Sequence, residues 1–460
     1  MTNGIKVTQG IAEYLAAASL EAFPPEAVQA AKGAIIDCLA CMLAGSQEPL
    51  ADVLCDYVQA EGGTPSASVV GRGFKTSTPY AALVNGAMGH ALDYDDITEV
   101  TKTHPTAVLL PASLALAEER RASGRELLLA YMVGFEVACS VGAGLSPEYF
   151  DDLGWHPTGP LGAIGAGAAA ARLLDLDQEQ AAMAISLAAS QAAGLRQNFG
   201  TMTKPFHAGE AARSGVTAAR LARQGFTASS DAIEGRFGFM RAFSGGQGFH
   251  PEVVLDTLGS KCYLVESGIE VKKYPCCGSA HLALDATLEL LSRQSIDPEQ
   301  VEKIDVQVDF DPPRSLIHAR PTTALEGKFS MQYCLAAALL DHQVGLQSFT
   351  EAQIRRPDAQ LLIPKIEMRR IPGNEGQPSW MEGFHEVAVH LSDGQVLVQR
   401  ASRSRTGALR GATFLDILAK FDNCASLVLE RGIVQELTAQ TSSLEDVPDV
   451  SQLAGLLRAD

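Results

Sequence analysis

Residues 90–106 of the 460-residue chain concentrate side chains that can exchange protons. The segment is preceded by the small, apolar residues 81–89 and followed by the apolar residues 107–117, so both flanks are expected in the core. Partly buried carboxylates beside imidazoles are typical of proton-transfer sites. The alternative is an acidic surface loop between two helices. The groups in question are His90, Asp93, Asp95, Asp96, Glu99, Lys102 and His104.

The triplet His-Pro-Thr occurs twice, at residues 104–106 and 156–158, each time before an apolar helical stretch. Proline suits the first turn of a helix, so each histidine is expected just before a helix start. The helix dipole favours anions there and disfavours an imidazolium. His104 and His156 are therefore candidates for a neutral base near pH 7, although two copies of a common triplet can also arise by chance.

A third cluster lies in residues 194–207, which hold Arg196, Lys204 and His207 between two helical stretches. We expect a loop here that leads into a small-residue helix at residues 208–224. Loops on rigid scaffolds commonly carry function. These cations are suited to holding an anionic substrate.

The elements that must position these groups are mainly helical as far as residue 264, because apolar residues recur there with helical spacing. The glycine-rich residues 159–171 do not have the spacing of a nucleotide-binding loop and follow no strand, so they are interpreted as a helix that packs closely on its neighbours. Residues 1–264 are predicted to form a helical domain, completed by residues 401–460.

Between residues 265 and 400 the pattern changes to alternation with period two, at 303–310, 365–370, 386–391 and 395–400. Ser-Asp-Gly at 392–394 indicates a hairpin between the last two strands. We predict an α+β domain, with an antiparallel sheet carrying helices on one face. Lys272 falls near its beginning.

Bulk composition narrows the class of protein. A net charge of −18 without any basic block argues against nucleic acid as a partner. No uncharged apolar run approaches the roughly 18 residues of a membrane span, and residues 1–10 lack the features of a secretory signal. Nine scattered cysteines without a C-x-x-C pair suit reduced thiols, so a cytoplasmic location is expected.

The order of motifs resembles the MmgE/PrpD family over roughly residues 5–430. The matching motifs are Gly-His-Ala-Leu-Asp-Tyr-Asp-Asp at 89–96, Thr-His-Pro at 103–105, Gly-Trp-His-Pro-Thr at 154–158, Thr-Lys-Pro-Phe-His at 203–207, Lys-Lys-Tyr-Pro at 272–275 with His281, Arg-Pro at 320–321 and Ala-Lys-Phe at 419–421.

The resemblance implies a large all-helical domain with a smaller α+β lid, a homodimer, and activity without metal or organic cofactor. Family activities include 2-methylcitrate dehydratase, cis-aconitate decarboxylase and iminodisuccinate epimerase. Matched one by one, the site residues that the resemblance implies are Asp93, His104, His156, Lys204 and Lys272.

Two departures from the decarboxylase pattern concern side chains that the resemblance places at the site. Ile97 or Thr98 stands where a hydroxyl is expected, and Ile317, followed by His318, stands where that pattern has a tyrosine. Both departures argue against cis-aconitate decarboxylation and leave the general chemistry of the family intact.

The chemistry shared by these activities is proton transfer next to a carboxylate, which needs a base, an acid and cations for the substrate carboxylates. We expect His104 to be the base or acid, oriented by Asp93, and His156 to donate to a leaving hydroxyl or to bind substrate. Lys204, Lys272 and Arg196 would hold carboxylates of a small di- or tricarboxylate. The ranking places a dehydratase or hydratase first, an epimerase or isomerase second and a decarboxylase third.

Two other classes compete with this hypothesis. Asp93, Asp95 and Asp96 with His90 and Glu99 could bind Mg²⁺. Against this, the three aspartates cannot all share one helical face and no second acidic motif is present. A catalytically silent family member is the other alternative, which the retained His, Asp and Lys residues oppose.

Overall fold

The computed structural model describes residues 4–372, 383–402 and 408–459. The fold is mainly helical, as predicted. The helices are α1 (Val7–Ala17), α2 (Pro25–Gly45), α3 (Pro49–Glu61), α4 (Thr78–Ala91), α5 (Thr106–Arg120), α6 (Gly124–Ala143), α7 (Glu148–Asp151), α8 (Thr158–Leu173), α9 (Gln178–Ser190), α10 (Thr203–Arg223), α11 (Phe239–Phe243), α12 (Pro251–Thr257), α13 (Tyr263–Glu266), α14 (His281–Arg293), α15 (Ala324–Gly327), α16 (Met331–Asp341), α17 (Glu351–Arg355), α18 (Pro357–Leu362), α19 (Phe414–Ala425), α20 (Arg431–Ser442) and α21 (Val450–Leu456).

The strands are short and few in comparison. They are β1 (Ala67–Ser68), β2 (Lys75–Thr76), β3 (Ile269–Glu270), β4 (Val301–Val308), β5 (Ile366–Arg370), β6 (Phe384–Leu391), β7 (Val396–Ser402) and β8 (Leu409–Arg410). Strands β4 to β7 form one four-stranded sheet, whereas β1 pairs with β2 and β3 pairs with β8.

Glycines allow the central helices to cross at close range. A Cβ atom on Gly209 of α10 would lie 2.1 Å from the carbonyl oxygen of Leu83 in α4. In α8, a Cβ atom on Gly165 would lie 2.8 Å from the carbonyl oxygen of Gly134 in α6. The packing interpretation of the glycine-rich residues 159–171 is thus confirmed, and the α4–α10 crossing brings the first turn of α10 to the end of α4.

The four-stranded sheet has the order β5-β4-β6-β7. Strand β6 is antiparallel to β4 and to β7, and the β6–β7 turn has Gly394 at φ +88°. Strand β5 pairs parallel to β4. The predicted hairpin is confirmed, but the purely antiparallel sheet was wrong: between β4 and β5 the chain passes through α15 to α18, and such a crossover permits a parallel neighbour.

Buried apolar side chains form two clusters. The larger one spans residues 7–271 and includes residues 417–457 from α19 to α21. The smaller one spans residues 274–397 and also takes in Ile97 and Phe199 from the helical part. The functional residues described below lie where these clusters meet. The division into domains at residues 264/265 and 400/401 stays a prediction.

Helices α2 and α6 are long and apolar enough, by length and composition alone, to cross a membrane. In each, 89% of the apolar window is buried inside the fold. A core helix of a soluble protein has the same properties, so this is weak evidence for a membrane span.

Candidate active site

The site begins where α4 ends. His90 lies in the last turn of α4, and the chain then leaves the helix with Asp93 in the left-handed region at φ +51°. Residues 93–96 are therefore not helical. The argument that Asp93, Asp95 and Asp96 cannot share one helical face assumed a helix here, and that assumption was wrong. The loop turns Asp93 and Asp95 inward, while the Asp96 carboxylate accepts from the backbone and hydroxyl of Thr106 at the start of α5.

Three buried lysines hold this loop by its backbone. Three successive carbonyl oxygens each accept a hydrogen bond from a different ammonium group: Leu92 from Lys328 at 2.9 Å, Asp93 from Lys272 at 2.7 Å and Tyr94 from Lys420 at 2.6 Å. Charge-assisted bonds of this kind are among the stronger hydrogen bonds in proteins. Because the donors come from distant parts of the chain, the position of Asp93 depends on the whole fold.

Of these donors, Lys420 is further fixed by Asp37 of α2. Its Nζ lies 2.7 Å from Oδ1 of Asp37, and both side chains are buried. It also stacks on Tyr94, with Nζ 3.6 Å from the ring centroid. Burial raises the pKa of Asp37 while Lys420 lowers it. This pair anchors α2 and α19 to the loop.

The Asp93 carboxylate lies between two ammonium groups. Oδ1 is 2.6 Å from Nζ of Lys204 and Oδ2 is 2.9 Å from Nζ of Lys272. Burial opposes ionisation of Asp93, but the two lysines hold its pKa well below the usual range. Burial likewise lowers the pKa of Lys204, against the effect of Asp93, whereas Asp93 and Asp95 outweigh burial and raise the pKa of Lys272.

Asp95 supports two imidazoles. Its Oδ2 lies 2.8 Å from Nδ1 of His90 and 3.3 Å from Nδ1 of His104. Burial opposes ionisation of Asp95, but the adjacent imidazoles hold its pKa well below the usual range. Burial lowers the pKa of His90 to about 3 and also lowers the pKa of His104, with Asp95 opposing in each case. Two neutral imidazoles around one carboxylate are thus expected near pH 7.

Both predicted histidines precede a helix. α5 begins at Thr106 and α8 at Thr158, with a proline at each N-cap. The hydroxyl of Thr158 accepts the backbone N–H of His104 at 3.1 Å, so the second triplet holds the first. His104 and His156 have ring centroids 6.5 Å apart.

His156 contacts a further imidazole instead of a carboxylate. Its Nδ1 lies 3.1 Å from Nδ1 of His207. Its Nε2 is buried and has no hydrogen-bond partner among the described residues. Burial lowers the pKa of His156 well below the usual range, and Lys204 and the neighbouring histidines add to this effect.

These groups surround one cavity of about 60 Å³. Of the six predicted site residues, five line it: Asp93, His104, His156, Lys204 and Lys272. The remaining lining residues come from both clusters and from the loops between them: Ile97, Lys102, Phe150, Phe199, Cys277, Gly278, Ser279, Arg314, Ser315 and Phe329.

Arg196 is the predicted site residue that the structure does not bring to the cavity. Its guanidinium donates to the carbonyl oxygens of Phe150 at 3.0 Å and Arg314 at 2.8 Å. It also lies 4.4 Å from the centroid of the Phe150 ring. The prediction that Arg196 binds a substrate carboxylate is therefore not supported. The residue instead ties two segments of the cavity wall together.

Lys204 and His207 also lie differently from the prediction. They belong to the first turns of α10, which begins at Thr203, and not to a loop that precedes it. Lys272 already reaches Asp93, so this structure needs no further movement to bring it to the site.

The positions that depart from the decarboxylase pattern are now located. Ile97 lines the cavity, whereas the buried Thr98 hydroxyl donates to the carbonyl oxygen of Gly268 at 3.2 Å. Ile317 is 43% exposed and not a lining residue. His318 Nε2 donates to the carbonyl oxygen of Phe199 at 3.3 Å and does not line the cavity. Among residues 314–318, Arg314 and Ser315 form the cavity wall.

Ligand types alone would allow a metal ion here. Side-chain atoms of His90, Asp93, Asp95 and His104 all lie within 4.8 Å of one another. The ammonium group of Lys204, however, is 2.6 Å from Asp93 and 2.7 Å from Nε2 of His90. A divalent cation in this cluster would face a buried positive charge, so these residues do not fit a metal well.

Sequence reasoning missed several of these groups. His90 and Asp95 were named only among the titratable groups of residues 90–106 and as candidate magnesium ligands, without a role in supporting His104. Lys328 carried no signal, because one lysine before a helix is common. Lys420 was part of a matching motif without a role. An earlier signal did exist for His207, which lies one turn after Lys204 and therefore on the same face of a helix.

The fold and the site define a mainly helical protein with a buried acid–base cluster of two acidic, two cationic and several imidazole groups. The chain belongs to the MmgE/PrpD family: residues 9–252 match the MmgE/PrpD N-terminal domain and residues 274–446 match the MmgE/PrpD C-terminal domain. It is accordingly an enzyme of this family.

Curated relatives match over nearly the whole chain. A human cis-aconitate decarboxylase is 29% identical over 94% of this chain and 90% of its own length. The cis-aconitate decarboxylase of Aspergillus terreus is 28% identical over 98% of this chain and 96% of its own length. A cis-aconitate decarboxylase-like protein of Aspergillus oryzae is 28% identical over 95% and 94%, respectively.

Proposed function

We propose that this chain is a lyase that acts on a small di- or tricarboxylate by transferring protons next to a carboxylate, most simply as a dehydratase or hydratase. One observation carries the proposal. Two histidines that belong to separate hydrogen-bond networks, His104 and His156, line one cavity together with the ammonium groups of Lys204 and Lys272.

His104 is suited to be the base. Burial keeps its imidazole neutral, and Asp95 is close enough to stabilise the imidazolium that forms when it accepts a proton. In a dehydration, the proton from carbon passes to His104 and the C–H electron pair forms the double bond. The adjacent C–O pair leaves with the hydroxyl group.

His156 is suited to be the acid. Its unpartnered Nε2 is available to donate a proton to the leaving hydroxyl, which departs as water. Lys204 and Lys272 would bind substrate carboxylates and stabilise the negative charge that builds up on them during proton abstraction. Each positioned acid or base typically contributes about 10²- to 10⁴-fold.

The lining of the cavity bears on the lid. Ser279, Arg314 and Ser315 come from the part of the chain that forms the smaller apolar cluster, whereas His104, His156 and Lys204 come from the part that forms the larger one. We propose that the part of the chain in the smaller apolar cluster moves as a lid over the site. Its residues Ser279, Arg314 and Ser315 would withdraw to admit substrate and then exclude water.

A cis-aconitate-type decarboxylation is the second candidate. It is favoured by the relatives, which are named cis-aconitate decarboxylases and match over nearly the full chain. It is opposed by the apolar Ile97, which lines the cavity and is one of the two residues, with Thr98, that stand where that pattern has a hydroxyl. The same His104, His156 and lysine set could serve it, with a proton delivered to carbon as CO₂ leaves.

Proton NMR in deuterated water separates these activities. Citrate, 2-methylcitrate, cis-aconitate and substituted succinates would each be incubated with the protein. New vinyl signals from the hydroxy acids support dehydration, and loss of a carboxyl group from cis-aconitate supports decarboxylation. Deuterium uptake without net turnover indicates an epimerase. No exchange and no conversion of any substrate contradicts the proposed function.

We further propose that the protein acts as a cytoplasmic homodimer. This rests on the family resemblance and on the nine cysteines, which are all free thiols in the structure. Light scattering coupled to gel filtration tests the assembly, and a monomer of 48.6 kDa at micromolar concentration contradicts it.

A further inference from the structure

His207 contacts His156 through its imidazole ring. The Nδ1 atoms of His207 and His156 lie 3.1 Å apart. At this distance one nitrogen donates and the other accepts, so the two imidazoles share one proton. The rings have centroids 5.4 Å apart and are tilted by 53°.

The two histidines differ in their access to solvent. His156 is 2% exposed and lines the cavity, and its Nε2 has no hydrogen-bond partner among the described residues. His207 is half-buried and does not line the cavity. The pair therefore spans the protein wall between the cavity and the outside.

The surrounding structure fixes this arrangement. Gly194, at φ +139°, accepts the backbone N–H of His156 at 3.1 Å, and a Cβ atom there would lie 3.4 Å from Cγ of His207. The Phe199 ring packs edge-on against His156 at 5.0 Å. His207 lies one turn after Lys204 on α10, so the same helix face places Lys204 at Asp93 and His207 at His156.

We propose that His207 is the residue through which His156 exchanges its proton with solvent, so that the two imidazoles act as a relay. The proposal rests on the proposed function, in which His156 is the acid. His207 does not touch the substrate and acts through His156.

The relay balances without a charged intermediate. Before the step, His156 carries its proton on Nε2 and His207 carries its proton on Nδ1. Nε2 of His156 gives its proton to the leaving hydroxyl, Nδ1 of His156 takes the proton of His207, and Nε2 of His207 takes a proton from an acid in the solvent. The proton that His104 took from carbon returns to the solvent, so the count is closed. Both rings remain neutral and exchange tautomers. Burial lowers the pKa of His207 to about 4 and lowers that of His156 further below its usual range, which suits a relay of neutral rings.

The test compares H207N with the wild type, because an asparagine places a donor or acceptor near the Nδ1 position but cannot pass a proton on. We expect kcat to fall at least tenfold with KM changed less than threefold. Single-turnover rates would also be measured in mixtures of light and heavy water. For the wild type, a plot of the rate against the deuterium fraction should be curved, because more than one proton moves in the step. For H207N the same plot should be linear.

H250N serves as the matched control, since His250 is an exposed histidine that pairs with Glu252. A wild-type kcat in H207N overturns the relay, because turnover then does not depend on a proton from His207. A linear dependence on heavy water in the wild type also overturns it and needs no variant, so a misfolded H207N does not prevent the test. If the wild type converts no polycarboxylate, the proposed function fails instead.

Discussion

The Nζ atom of Lys204 lies 2.7 Å from Nε2 of His90. An ammonium group only donates, so Nε2 of His90 accepts and its Nδ1 must carry the proton that faces Asp95. Lys204 thereby sets the tautomer of His90, in addition to its ion pair with Asp93. Lys204, in the first turn of α10, thus contacts Asp93 directly and Asp95 through His90.

The first prediction concerns Lys204. K204M should lower kcat by about 10²-fold or more. It removes a cation that binds the substrate carboxylate, and it removes the hydrogen bond that keeps the proton of His90 on Nδ1. Steady-state kinetics on the substrate found by NMR measures the effect. K273M is the matched control, since Lys273 is an exposed lysine paired with Asp285. Equal activity of both variants contradicts a role for Lys204.

The second prediction concerns pH. His104 accepts a proton only when neutral, and its pKa in the folded protein is lowered from 6.5 by burial. Activity should therefore be complete at pH 6.5, which lies above the pKa of His104 in the folded protein. It should be lost as the pH falls through that lower pKa. The measurement is kcat/KM from pH 4 to 8, with the substrate pKa values determined separately by NMR. A midpoint above 6.5 contradicts a buried neutral base.

Folding must be followed in the same buffers, since the titrations of other buried groups change stability. Four histidines of the site have lowered pKa values, so their unfolded forms bind more protons below pH 6.5 and stability falls with acid. Glu136 opposes this, because burial raises its pKa to about 7 and its contribution falls as the pH rises from 4.5. Circular dichroism at each pH separates unfolding from titration of the base.

The third prediction concerns the lysines that hold the loop. K328M leaves the buried carbonyl oxygen of Leu92 without its donor, at a cost of about 1–3 kcal/mol. Because Asp93 is the next residue, kcat should also fall. Lys365 offers a matched control, since it likewise donates to a carbonyl oxygen, that of Val301, but in the four-stranded sheet. K365M should lower stability in urea unfolding and leave kcat unchanged. A K328M variant that keeps the wild-type kcat contradicts the positioning role.

The features that could be predicted from the sequence are those encoded by a few neighbouring residues. The helix starts after His104 and His156 follow from short triplets, and the structure has both. The hairpin before β7 follows from Ser-Asp-Gly, whereas the parallel β4–β5 pair depends on a long crossover that periodicity does not encode. Asp93 and Asp95 converge through a left-handed residue, and the three lysines reach successive carbonyls from residues 272, 328 and 420. Such contacts between distant residues leave no spacing pattern.

The fourth prediction concerns metal ions. The ammonium groups of Lys204 and Lys272 neutralise Asp93, so a divalent cation should not be needed. Activity should survive prolonged dialysis against EDTA, and added Mg²⁺, Mn²⁺ or Zn²⁺ should not raise it. The control is a metal-dependent lyase treated in parallel. Loss of activity that only one metal restores would favour the metal-enzyme alternative.

The fifth prediction concerns Ile97 and the choice between the two reactions. I97T places a hydroxyl in the cavity wall and shortens a buried apolar side chain by one carbon, so a loss of stability of about 1–3 kcal/mol is expected. If a hydroxyl here assists decarboxylation, I97T should raise the ratio of decarboxylation to dehydration of the same substrate pool by tenfold or more. T98V is the matched control, because the Thr98 hydroxyl donates to Gly268 and does not line the cavity. Product ratios from NMR decide, and an unchanged ratio in I97T shows that Ile97 does not select the reaction.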